Sequence, residues 1–452
     1  MPMSKLARLA LLAALAGPLV GCSSTDDIQD AIGAINPFGD SKKPLPGERQ
    51  EVFDGQSPLQ VAKNKPVSVG GARAVSAWTA VGGPPGNDAG HVALNGSGGT
   101  QVWSTRAGDV GSGSIVREDV RAFARPIAAA GRAFVLDPNG NVTALSLAGG
   151  TAWRASVRPT TVDTQATTGG VGTDGARVYA ATAWGEIVAL DADSGAKLWE
   201  KKLPEPARSA PTVSGGRIYL VTQSNTVLAL SATDGADVWS WRGVPEAGNL
   251  LSSNSPAVSG GVVVVPFTSG EIVALDEKSG QPVWNDSLAR ASRAYAVSGF
   301  STISASPVVA DGVVYATGVG SRTVAVGLKT GQRLWDVAFG SAHTPAVSGN
   351  AVFLVDLDNS LTALDRKSGD VLWATKLPAT KGKKKRTVWA GPVLAGGNLW
   401  LASNEGGLVA VDPTSGRITA TQSGGDAVMI APIAVSGKLL TLSANGTLTA
   451  WE

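Results

Sequence analysis

The chain of 452 residues sets 38 Lys and Arg against 36 Asp and Glu, so it has no basic field of the kind nucleic-acid binders use. Its 57 glycines, sparse charge and 43% apolar content favour many short buried strands joined by tight turns, an all-β class. The single cysteine, Cys22, excludes an intrachain disulfide, a CxxC redox pair and a thiolate metal site.

At the N-terminus, Lys5 and Arg8 form a cationic segment, and residues 9–20 are an almost unbroken apolar run too short to span a bilayer. The run closes on Leu19-Val20-Gly21-Cys22, the pattern of a bacterial lipobox. Small residues there fit the signal peptidase, and the Cys22 thiol carries a diacylglycerol. The competing reading is an ordinary secretory cleavage site that happens to contain a cysteine. Residues 1–21 are thus a predicted signal peptide, and losing Lys5 and Arg8 brings the formal charge of the mature chain to zero. Several acyl chains, at about 0.8 kcal/mol per buried CH₂, give stable anchoring. Ser23, in place of an inner-membrane retention aspartate, favours the outer membrane.

Residues 22–71 are expected to be the lipidated N-terminus and a flexible tether, and 72–452 the folded domain. As far as about Lys65 the tether is rich in Pro, Gly, Ser, Asp and Lys, and would span on the order of 35 Å. Residues 27–35 offer a short helix that Gly33 weakens. Residues 72–98, with Trp78 and His91, are expected to pack against the domain.

That domain is a repeat. Gly-Glu-Ile-Val-Ala-Leu-Asp occurs twice, at 185–191 and 270–276. Around the second copy, Pro256-Ala257-Val258 leads to Gly260-Gly261, a valine run at 262–265, the glycine-to-aspartate segment, Ser279-Gly280 and Trp284. The same order recurs from Pro211 to Trp239, Pro307 to Trp335 and Pro345 to Trp373, always over 28 residues, and over 27 from Pro126 to Trp153. The unit ending at Trp199 lacks the proline, and the unit starting at Pro392 has Ala420 in place of the tryptophan. A last unit starts at Pro432 and stops before its fourth strand.

Proline introduces a first strand, where a missing N–H is tolerated. Gly-Gly or Asp-Gly turns into a second strand, β-branched and covered on both faces. The third strand ends at an Asx-type turn, Asp276 to Gly280, and Trp284 opens the fourth, its ring wedged against the next repeat. Four strands per repeat and eight starts predict an eight-bladed propeller, with seven blades as the alternative. Residues 101–106, Gln-Val-Trp-Ser-Thr-Arg, supply the missing fourth strand of the last unit and close the ring, removing two sheet edges.

This repeat resembles that of quinoprotein (PQQ) dehydrogenases. With the lipobox and tether it resembles the BamB family, lipoproteins of the outer-membrane β-barrel assembly machinery (BAM complex). Residues 43–49, Lys-Pro-Leu-Pro-Gly-Glu-Arg, look like the tether of alphaproteobacterial members. The resemblance implies a non-catalytic scaffold without a cofactor, holding the periplasmic POTRA domains of a BamA-like barrel protein beside other BAM subunits. It also implies help in delivering unfolded outer-membrane proteins. The family's docking loops correspond to 248–255 and 298–306. There Asn249 and Leu250 fall at contact positions, Leu251 stands where better-studied members have arginine, and Thr302 and Ser304 stand where they have acids.

Catalytic constellations are missing from the sequence. The two histidines, His91 and His343, are far apart, and no HExxH, GxSxG or P-loop spacing occurs. A quinoprotein enzyme would be expected to show a vicinal disulfide, a calcium site and an aspartate base. The recurring Asp191, Asp276, Asp365 and Asp412 fall at turns and are read as structural. Gly82-Gly83-Pro84-Pro85-Gly86 has proline where a phosphate cradle needs N–H groups, and is read as a loop. Trp184, Trp241, Trp389 and Trp400 lie off the repeat position and are candidate surface anchors. Lys381, Lys383, Lys384, Lys385 and Arg386 make one dense basic run, read as a solvated loop or as a contact for anionic headgroups or an acidic partner. The remaining alternatives are an envelope propeller binding another protein, polysaccharide or small ligand, and a degenerate PQQ dehydrogenase.

Overall fold

The computed structural model describes residues 65–109, 124–162, 165, 168–244, 254–288, 305–319, 322–379 and 387–452, all within one compact unit. Cys22, the tether before Lys65 and the short helix expected at 27–35 lie outside them.

Eight four-stranded antiparallel sheets are present. Seven come from consecutive chain: blade 1 (127–156), blade 2 (169–202), blade 3 (212–242), blade 4 (257–287), blade 5 (308–337), blade 6 (346–376) and blade 7 (389–422). Blade 8 takes three strands from 433–451 and its outermost from Gln101–Arg106, as the broken repeat predicts. That closing pair runs antiparallel, with Ser104 opposite Thr449 and Arg106 opposite Thr447. First strands of successive blades touch, so they surround the axis of a propeller.

The second and third strands are buried along almost their whole length, as in Val262–Pro266 and the Ile272–Leu275 core of its partner. Both of their faces are covered by neighbouring blades, which explains why these segments are continuously apolar and not alternating. Each fully buried Val, Leu or Ile contributes roughly 1.5–3 kcal/mol.

The repeat tryptophan always faces the alanine of the third strand: Ala229 opposite Trp239, Ala274 opposite Trp284, and in the closing blade Ala450 opposite Trp103. Except at Trp199, whose buried Nε1 has no partner among the described residues, its indole N–H reaches the next blade, as Trp239 Nε1 donates to Glu277 O (3.1 Å), Trp284 Nε1 to Leu328 O (2.7 Å) and Trp103 Nε1 to Leu147 O (3.1 Å). Ala420 occupies the tryptophan position of blade 7, opposite Ala410. The blade beyond it is blade 8, where the turn between third and fourth strands is replaced by the chain junction at Thr100 and Glu452. A tryptophan there has no turn to cap. Trp400, on the second strand opposite Ala410 and 2% exposed, supplies the volume.

Three sequence readings are corrected at this level. Trp400 and Trp389 are buried core residues, the latter donating Nε1 to Pro378 O (2.8 Å), so neither is a surface anchor. Trp184 and Trp241 are half-buried, and Trp241 packs on Phe267 at 5.7 Å. Pro392 lies inside the strand Trp389–Ala395, at a register break between Ala390 and Val393, and does not precede it. In the proline-free blade 2 the first strand is Gly169–Thr173, where a Cβ on Gly172 would overlap the Pro211 carbonyl.

Candidate partner-docking face

In an up-and-down blade, the turns after the first and third strands share one end, and the turn after the second shares the other with the inter-blade connection. The propeller therefore has a turn face and a loop face. Asp191, Asp276, Asp365 and Asp412 all sit on the turn face, and each caps its own turn. Asp276 Oδ1 accepts from Ser279 N (2.8 Å), Ser279 Oγ (2.7 Å) and Lys278 N (3.1 Å). Asp191 and Asp365 repeat the pattern with Ser194 and Ser368, and Asp412 with Thr414 and Ser415. The serine hydroxyls, then backbone N–H groups, hold Asp191 and Asp276 below the usual carboxylate value. These carboxylates are spent on turn geometry, as the sequence reading expects. Among the described residues no cluster of three or more His, Cys, Asp or Glu is placed to hold a metal ion.

The described ends of the expected docking segments lie on the loop face. Asn249, Leu250, Leu251, Thr302 and Ser304 lie outside the described residues, as do Lys381, Lys383, Lys384, Lys385 and Arg386. Their flanks are described. One segment leaves blade 3 at Val244, which is exposed, and returns at Asn254. The other leaves blade 4 at Leu288 and returns at Ala305. Both return points are buried, and they are tied together: Ser255 N donates to Ser306 Oγ at 2.9 Å. Blades 4 and 5 thus hold the two loop ends against each other.

Sequence reasoning missed a charge network on the outer strands of these two blades. Arg333, on blade 5, reaches across to Asp286 of blade 4, with Nε at 3.1 Å from Oδ2, and along its own strand to Asp336 (3.1 Å). Arg322 pairs with the same Asp336 and, as the largest influence, holds its carboxyl below the usual range. Only the three-residue spacing of Arg333 and Asp336 is visible in the sequence; Asp286 joins through the blade-to-blade step.

Elsewhere, burial raises the phenols of Tyr179, Tyr219 and Tyr315, with Tyr219 pushed up to about 12. Each belongs to a second strand packed beside a repeat tryptophan, at 5.8–6.0 Å between ring centroids. These are core tyrosines, not acids or bases.

Eight blades, each tryptophan-bearing outer strand docked on the following turn, define a propeller of the PQQ-repeat type. The family model for outer membrane protein assembly factor BamB matches residues 138–375. The BamB of Yersinia pestis is 30% identical over 359 residues, covering 78% of this chain and 88% of that protein. The Escherichia coli BamB is 30% identical over 162 residues, which span 36% of this chain and only 40% of that relative. The chain belongs to the BamB family. In fold it is similar to the crystal structure of BamB from Moraxella catarrhalis, with a TM-score of 0.65 at 23% identity, covering 78% of this chain and 99% of that one. It is also similar to quinohemoprotein alcohol dehydrogenase from Comamonas testosteroni, with a TM-score of 0.65 at 15% identity over 84% of this chain and 81% of that one.

Proposed function

We propose that this protein is a non-catalytic scaffold of the outer-membrane β-barrel assembly machinery, anchored through Cys22 to the periplasmic face of the outer membrane. Family membership is the observation that carries the reading, because the matched region includes both loop-bearing blades, 4 and 5. In this reading the loop face holds the POTRA domains of a BamA-like barrel protein through Asn249, Leu250, Leu251, Thr302 and Ser304, and the scaffold assists insertion of outer-membrane proteins. The ion pairs of Arg322 and Arg333 with Asp286 and Asp336 tie blade 4 to blade 5, the two blades that follow the docking segments. The run from Lys381 to Arg386, also in an inter-blade loop, adds attraction for anionic headgroups or an acidic partner. No catalytic step is assigned, since the recurring aspartates are consumed by their turns.

Crosslinking in intact envelopes from positions 249–251 and 302–304, followed by identification of the captured protein, tests the reading. Capture of a BamA-like barrel is the expected result. Capture of other envelope proteins without such a barrel refutes it.

A further inference from the structure

Residues 65–99, between the tether and the closing strand, do more than lie on the ring. Lys65 bonds Asp370 and Ser368 in an outer turn of blade 6, and Ser68 O accepts from Asn350 N of the same blade (3.1 Å). The segment then crosses toward the axis. Val75 O accepts from Ser436 N of blade 8 (2.7 Å), and Trp78 exchanges both backbone hydrogen bonds with Ala128 of blade 1 (2.6 and 2.8 Å). Thr79 O accepts from Thr173 N of blade 2 (3.2 Å), Pro85 O from Val258 N of blade 4 (2.8 Å) and Gly86 O from Val309 N of blade 5 (2.8 Å). On the way out, Val92 N donates to Leu394 O of blade 7 (3.0 Å) and Asn95 N to Gly437 O of blade 8 (2.9 Å).

The backbone partners belong to first strands or to the turns that follow them. One strap therefore satisfies backbone groups in the inner strands of five blades and in the adjoining turns of two more, at the turn-face mouth of the axis. Its tip is fixed from inside. Asn87, buried, accepts from Gly82 N (3.0 Å) and donates to Pro307 O (3.0 Å). Trp78 is 1% exposed beneath the Arg125 guanidinium, 5.3 Å from its ring centroid. His91 joins the two limbs: Nε2 accepts from Gly397 N (3.0 Å), which leaves Nδ1 to donate to Gly70 O (2.8 Å). Between strap and blades remains a cavity of about 20 Å³ lined by Trp78, Asn87, Arg125, Pro345 and Pro392, room for about one water.

The repeat supplies its own control for the strap's footprint. The apolar residue before each tryptophan is 40–49% exposed at Val102, Leu198, Val238, Val283 and Leu334. Its equivalent in blade 6, Leu372, is 6% exposed and shares an apolar cluster with Val67.

We propose that residues 65–95 are a built-in axial plug. They close the turn-face mouth with the protein's own chain, confine partners and ligands to the loop face and rim, and cross the seam where blades 7, 8 and 1 meet as a second lock beside the closing strand. The proposal is independent of the assembly role.

Hydrogen exchange with mass-spectrometric readout of the full mature chain tests it. In the wild type, peptides containing Ala128, Thr173, Val258, Val309 and Ser436 should be protected at least about 100-fold over unstructured peptide, together with the strap itself. Trp78→Ala should speed exchange about 10-fold or more at blades 1, 2, 4, 5 and 8 together, while the outer strands Asp237–Arg242 and Pro282–Ser287 stay unchanged. Asn87→Gly, which removes the tip hydrogen bonds and tolerates the φ of +58° there, serves if Trp78→Ala does not fold, and should act first at blades 4 and 5. Wild-type strap amides exchanging as unstructured peptide, or a Trp78→Ala effect confined to blade 1, would overturn the proposal.

Discussion

Replacing Gly280 with alanine isolates the contact on which blade-to-blade docking depends. Gly280 has φ +72°, and a Cβ there would lie 2.6 Å from both Cδ2 and Cε3 of Trp239. Gly216 has nearly the same φ, +74°, with nothing within 4 Å of its Cβ. Both substitutions meet the left-handed backbone penalty of about 1–2 kcal/mol, and both gain the same roughly 0.4–1 kcal/mol from a less flexible unfolded chain. Only Gly280→Ala must also displace an indole that is hydrogen-bonded to Glu277 O, an overpacking cost of about 1–3 kcal/mol. Gly280→Ala should thus destabilise by about 1–3 kcal/mol more than Gly216→Ala. In a Trp239→Ala background the excess should shrink toward zero, because the clashing ring is gone. Urea unfolding followed by far-UV circular dichroism, comparing midpoints at constant slope, measures all four variants and the parent. Equal losses at the two glycines, or an excess that survives in Trp239→Ala, would refute the docking argument.

Trp103→Ala should cost about 3 kcal/mol or more, because it removes a large ring and the bond to Leu147 O from the strand that closes the propeller; thermal unfolding at unchanged midpoint would contradict this. Asp191 and Asp276 have folded values held below their usual 3.8, so their stabilising effect is present above that value and declines as pH falls through the lower folded value. The urea midpoint should therefore drop below about pH 4, and Ser194→Ala combined with Ser279→Ala should shrink that drop relative to the parent.

Much of the fold was legible because the unit repeats. Spacing from Pro211 to Trp239 by itself locates the four strands of blade 3, since hairpin turns and cross-strand register are local. The closing strand was legible too, because its tryptophan was out of phase with a unit of its own. The sequence put residues 72–98 against the domain but did not disclose the course of the strap. Its backbone bonds to seven blades depend on where the axis lies, and its glycines and prolines look like those of any loop. Trp400 was misread for a related reason: its burial compensates for Ala420 across a blade whose neighbouring turn is missing, a relation that no repeat template contains.

The candidate docking face divides along the same line. Chain order alone put two long connections ahead of blades 4 and 5. Tertiary structure put the described ends of both on the face opposite the plug, joined their return points through Ser255 and Ser306, and brought Asp286 to Arg333 across the gap between blades. Local periodicity and turn chemistry determine that this chain makes eight four-stranded units and closes them. Which mouth is filled, and which charges meet, follows only from closure, because contacts between residues hundreds of positions apart arise when the ring fixes where each blade stands.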